Sequence, residues 1–141
     1  VVFLGACFVE KGVMSESVYL DLCRKILAEI TGSSIVYSPH RSEDPGKLAN
    51  LTLNIEATIV KPNLPIELEL LKSRRIPQKI ISFQSAAVLT LAALFPSIEI
   101  TLIKVGREKF LSNNAKQLLF VRELEFFDQY LERYAFNTIV V

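Results

Sequence analysis

The chain is short of the residues that most chemistry needs. It has one histidine, His40, and two cysteines, Cys7 and Cys23, in 141 residues. A single imidazole and two thiols 16 residues apart in separate elements make a zinc site improbable. Both cysteines lie inside apolar runs, Leu4 to Val9 and Leu20 to Leu27, and read as buried reduced thiols of a cytosolic protein. Charge of one sign is missing too. Sixteen basic residues balance fifteen acidic ones for a net charge of +1, with no basic stripe, which argues against a nucleic-acid partner. No apolar run reaches 18 residues, so no segment is expected to span a membrane. Nor is the chain expected to open on a signal peptide. It begins without Met in a strand-like Val1-Val2-Phe3-Leu4, as an excised domain would. Fingerprints are absent as well. There is no GxGxxG, no GxxxxGK[ST] and no GxSxG, which removes the dinucleotide motif, the P-loop and the hydrolase elbow. Gly5-Ala6-Cys7 supplies none of the acidic residues a phosphorylated receiver domain needs.

What is present is an apolar half of the composition, enough for one domain with a core. Strand-like and helix-like stretches alternate. Val1 to Ala6, Ser34 to Tyr37, Ala57 to Val60, Lys79 to Phe83 and Glu99 to Val105 read as strands, and Thr138 to Val141 as a sixth strand or a tail. Between them, Ser15 caps a helix over Ser17 to Ile30, with Val18, Leu22, Ile26 and Ile30 inward and Gly32 as its stop. Asp44-Pro45 opens a helix to Leu51, Pro65 starts one over Ile66 to Lys72, and Ser85 to Leu94 is a strongly apolar helix ended by Pro96. Asn114 to Arg133 is the last, with Leu118, Val121, Leu124, Phe127 and Leu131 on one face. Phe126, Phe127 and Tyr130 suit an ordinary core face or a homodimer surface. The alternation predicts the α/β class: a Rossmann-like parallel sheet with helices on both faces.

Ligands in such sheets bind where strands end and helices begin, and four junctions carry chemistry. Gly5 lets backbone approach a ligand or a helix. His40 follows a strand stopped by Pro39, with Arg41 beside it. The imidazole suits a phosphate contact or protonation of a leaving group; equally, it suits a local backbone cap, with Glu43 and Asp44 as solvated helix-start carboxylates. Glu67 falls in the first turn of a helix, where it favours the dipole or accepts paired ribose hydroxyls; Glu69 points to another face and is expected in solvent. Ser85 follows Gln84 at a strand-to-helix turn, where free N–H groups make an anion site and Ala86 and Ala87 admit close approach. An imidazole, a carboxylate and a helix N-terminus with a hydroxyl on one sheet edge suit a nucleoside monophosphate.

In order, Val9-Glu10-Lys11-Gly12, Ser15-Glu16 to Tyr19, Tyr37-Ser38-Pro39-His40-Arg41 with Glu43-Asp44, Pro65-Ile66-Glu67-Leu68 and Lys79 to Ser85 form a pattern. Over about residues 1 to 105 it resembles the carboxyl-terminal half of bacterial sialyltransferases, the lipooligosaccharide sialyltransferase and polysialyltransferase group. The resemblance implies one half of a two-domain glycosyltransferase of the B architecture, whose second domain binds CMP-sialic acid. On that likeness His40 would be catalytic, contacting the CMP phosphate and assisting its departure. Glu67 would hold the cytidine, Ser85 the phosphate, and Gly5, Arg41 and Gln84 would line the substrate site. No metal or cofactor is implied. The partners implied are the donor, a glycan acceptor and the amino-terminal domain that carries the general base, with the full enzyme cytoplasmic or peripherally on the inner membrane. The family's paired serines are here Ser85-Ala86, and its His-Pro order is here Pro39-His40. The alternative is a non-catalytic Rossmann-like domain with a degenerate nucleotide site, serving assembly or regulation.

Overall fold

The computed structural model describes residues 1–30 and 33–141. Gly32, expected to stop the first helix, lies outside the described residues. Six strands form one all-parallel sheet: β1 (Val2–Leu4), β2 (Val36–Ser38), β3 (Thr58–Ile59), β4 (Lys79–Phe83), β5 (Glu99–Lys104) and β6 (Asn137–Val140). Five helices connect them: α1 (Glu16–Ala28), α2 (Pro45–Asn54), α3 (Ile66–Lys72), α4 (Ala86–Leu94) and α5 (Ala115–Leu131). The strand order is β3-β2-β1-β4-β5-β6, the Rossmann-like order in which connections run outward from the centre in both directions.

Local chemistry sets the boundaries. Ser15, Asp44, Ser85 and Asn114 cap α1, α2, α4 and α5, each accepting a backbone N–H of the first turn. The first strand is shorter than its apolar run. After Leu4 only Gly5 continues the pairing, donating to the Ser38 carbonyl at 2.9 Å, and the Ala6 N–H turns instead to the Tyr19 hydroxyl at 2.8 Å. With the register Val2↔Val36 and Leu4↔Ser38, β2 begins two residues later than expected and ends one later, at Ser38 against Pro39. The last apolar run is a strand, paired with β5.

Two apolar clusters flank the sheet. One joins Phe3, Tyr37, Ile81, Phe83 and Ile103 to α1, to Leu51 of α2 and to Val121 of α5. The other joins Leu4, Ile80, Ile100 and Leu102 to Leu70 of α3, to Val88 and Leu91 of α4 and to Leu131 of α5. The buried stripe of α1 is Tyr19, Leu22, Cys23, Ile26 and Leu27, rotated from the expected one because the Tyr19 hydroxyl is drawn inward. On α5, Val121 and Leu131 are buried, Leu124 and Phe127 half-buried and Leu118 exposed. Cys7 and Cys23 are buried free thiols, and burial pushes the Cys23 thiol far up. Among the described residues no helix is long and apolar enough to cross a membrane.

Candidate functional site

At the carboxyl ends of β1, β2 and β4, where the outward connections diverge, lies a cavity of about 410 Å³. That volume is within the range of small-ligand sites. Its walls are Leu4 and Gly5 at the end of β1, Ser38 to Arg41 at the end of β2, Pro62 to Glu67 entering α3, and Ser85 and Ala87 at the start of α4. Five of the six residues singled out in the sequence therefore converge: Gly5, His40, Arg41, Glu67 and Ser85. Gln84 does not. Its amide turns the other way and donates to Asp128 at 2.6 Å. Ala86 is exposed and does not line the cavity.

The polar groups are largely donors. His40 Nδ1 accepts the Ser42 N–H at 3.1 Å, so the neutral ring carries its proton on Nε2. His40 is exposed overall, but partial desolvation of its ring first, then the nearby Arg41 and Lys11, holds its pKa below the usual 6.5. Ser85 Oγ accepts the Ala87 N–H at 3.3 Å, which leaves its own proton undonated. Arg41 is exposed, with no ion pair among the described residues. Among the described residues, half-buried Glu67 is the one carboxylate in the lining. Glu69, expected in solvent, is instead half-buried and accepts the Asn63 and Leu64 N–H groups at 2.9 Å each, so it fixes the loop that forms one wall.

Behind the opposite face lies a buried polar network that sequence reasoning missed. Lys47 is 2% exposed and Glu43 3%. The ammonium meets Glu43 Oε1 at 2.9 Å, Glu10 Oε1 at 2.9 Å and the Ala6 carbonyl at 3.2 Å, and lies 4.2 Å from the centre of the Tyr19 ring. Protons can be assigned without a gap. The Ala6 N–H donates to Tyr19, Tyr19 to Tyr37 at 2.8 Å, and Tyr37 to Glu43 Oε1 at 2.6 Å. Glu43 Oε2 accepts the His40 N–H at 2.5 Å, and Glu10 Oε1 the Asp44 N–H at 2.9 Å. So Glu43 is not the solvated carboxylate expected; burial draws it in because three donors meet it. Burial pushes its pKa up against the pull of Tyr37, Lys47 and the His40 N–H. At Glu10 burial also pushes upward, but the Asp44 N–H and Lys47 outweigh it and hold that carboxyl below its usual range. On acidification Glu43 takes a proton before Glu10.

Gly5 serves this network. A β-carbon there would overlap the Glu43 carboxylate and the Tyr37 hydroxyl. Its missing side chain thus admits Glu43, while its backbone lines the cavity. The one hint in sequence is that Lys47 stands four residues before Leu51, on the buried stripe of α2. Across the loop that follows β1, Gly12 has φ +67°, a conformation that favours glycine, and its carbonyl accepts Gln117 Nε2 at 2.7 Å. Among the described residues no group of three or more His, Cys, Asp and Glu side chains is placed to hold a metal ion. The chain matches no protein-family model, no curated protein and no solved structure.

Proposed function

We propose that the domain binds the nucleoside-monophosphate part of a nucleotide sugar, and that it is the donor half of an inverting, sialyltransferase-like glycosyltransferase. CMP-sialic acid is the donor that the sequence resemblance favours. The support is one cavity, at the point where the strand order diverges, that gathers an imidazole, a guanidinium, a helix N-terminus with its serine and a single carboxylate. The donors suit phosphate oxygens, and the carboxylate suits paired ribose hydroxyls.

In this reading Glu67 accepts from the ribose, while Ser85 and the start of α4 hold the phosphate. His40 donates Nε2–H to a phosphate oxygen, and Arg41 adds charge. A carboxylate of a second domain removes the proton of the acceptor hydroxyl. That oxygen bonds to the anomeric carbon as the bond from the anomeric carbon to the phosphate oxygen breaks, and CMP departs with the electron pair. The groups here stabilise the charge that CMP gains. Isolated, the domain binds CMP and transfers no sugar.

Calorimetry with CMP and CMP-sialic acid tests this. Binding is expected, and His40→Ala and Ser85→Ala should each weaken it. No heat from either ligand at millimolar concentration would sink the reading. One observation favours a second, an assembly domain with a lapsed site: Phe126 on α5 is 73% exposed. A chain that ignores CMP but shows a concentration-dependent mass in sedimentation would support that alternative.

A further inference from the structure

Ser38 and Ser82 stand in equivalent places on the two neighbours of β1. Leu4 is in register with Ser38 on β2 and with Ser82 on β4. Residues in register on parallel strands point to the same face, so both serines lie on the Leu4 side, beneath α3 and α4. Both are buried, at 7% and 2% exposure. Their hydroxyls fare differently. Ser82 donates to the Phe83 carbonyl at 2.7 Å. The Ser38 hydroxyl has no hydrogen-bond partner among the described residues, and Ser38 lines the cavity whereas Ser82 does not. The Ser38 hydroxyl is not among the fully enclosed polar atoms left without a partner; it opens to the cavity, so its partner is water or a ligand there.

We infer that Ser38 is a ligand-binding residue that donates its hydroxyl to a phosphate oxygen of the bound nucleotide. The inference rests on the nucleotide reading above. The chemistry of the lining selects phosphate over sugar. Ser85 has an undonated proton and His40 offers Nε2–H. Ser38 adds a further donor from the floor, and its own carbonyl is already taken by the Gly5 N–H. A group that accepts several hydrogen bonds at once, and carries negative charge, fits donors converging from β2 and α4. The site therefore takes one hydroxyl from a strand end and one from a helix cap.

Calorimetry on the full chain separates the possibilities, with CMP, cytidine and inorganic phosphate as probes. Ser38→Ala should weaken CMP and phosphate by about tenfold or more. Cytidine affinity and the melting temperature should stay as they are. Ser82→Ala should leave CMP affinity unchanged. If Ser38→Ala folds poorly, Ser38→Cys keeps the shape, weakens the donor and should give the same order of affinities. Equal CMP affinity in wild type and Ser38→Ala overturns the inference, as does an equal loss for CMP and cytidine. Should wild type bind neither CMP nor cytidine, the nucleotide reading fails and the phosphate arm decides for Ser38. Phosphate bound by wild type and weakened in Ser38→Ala keeps it as an anion contact; phosphate not bound removes it.

Discussion

Tyr37 and Ser38 are neighbours on β2, and they face two different kinds of interior. Behind Tyr37, every polar group is answered by another: two hydroxyls, two carboxylates and an ammonium share their protons with three backbone N–H groups. Around Ser38 the hydroxyls of Ser38 and Ser85 keep undonated protons and Glu67 accepts from no protein group among the described residues. Low dielectric strengthens the satisfied bonds of the first place, whereas the second opens to its cavity through exposed His40 and Arg41. The difference teaches that polarity by itself does not mark a site. A closed network belongs to the fold, and open valences converging on a cavity belong to a ligand.

The contrast breaks most readily at Lys47. Lys47→Met leaves Glu43 and Glu10 facing each other with no cation, and about 3–5 kcal/mol of stability should be lost in urea unfolding. Glu43→Gln added to it should restore part of that loss, since an uncompensated charge is the larger cost. A loss below about 1 kcal/mol would mean that the network is not a closed unit. Tyr37→Phe should cost less, about 1–2 kcal/mol, because one link of the proton chain goes while Lys47 still holds Glu43. The His40 amide should then exchange faster with solvent, since Glu43 is its acceptor.

The smallest effect sharpens the other side. His40 should titrate below 6.5 in proton NMR, because its ring is partly desolvated and cations lie near it. The sign follows. A histidine depressed in the folded state adds stability that is present above 6.5 and is lost as pH falls through the folded value. Saturating CMP should move the midpoint upward, since an anion favours the imidazolium. A midpoint that CMP leaves in place would put the phosphate away from His40.

Much of this was legible in the residues. Strand and helix runs alternate plainly, and a parallel sheet sends all its strand ends to one edge. His40, Glu67 and Ser85 could therefore be brought together without coordinates. Gln84 could not be resolved, because a side chain at a strand end can turn to either face and only the position of Asp128 decides. The buried network was hidden for a different reason. Glu43 and Lys47 have the spacing of a solvated pair on a helix surface, and Glu10 and Tyr19 are remote from both in the chain. Their burial depends on Gly5, whose missing side chain is a vacancy that only tertiary packing reveals. Several residues that carry the sequence resemblance, Glu10, Tyr19, Tyr37 and Glu43, lie in this network and do not line the cavity.

The place of β1 has a kinetic consequence. Three residues near the start of the chain form the middle of the sheet, paired at Val2 with both Val36 and Ile80. The second of these ladders closes a long loop for few contacts, which makes it slow to nucleate. On a ribosome, β1 and β2 can meet early, but one edge of β1 stays unpaired until β4 has emerged. Before then, the cavity lacks the wall that Ser85 and Ala87 supply. The candidate site should thus become competent only once β4 and α4 have joined the sheet.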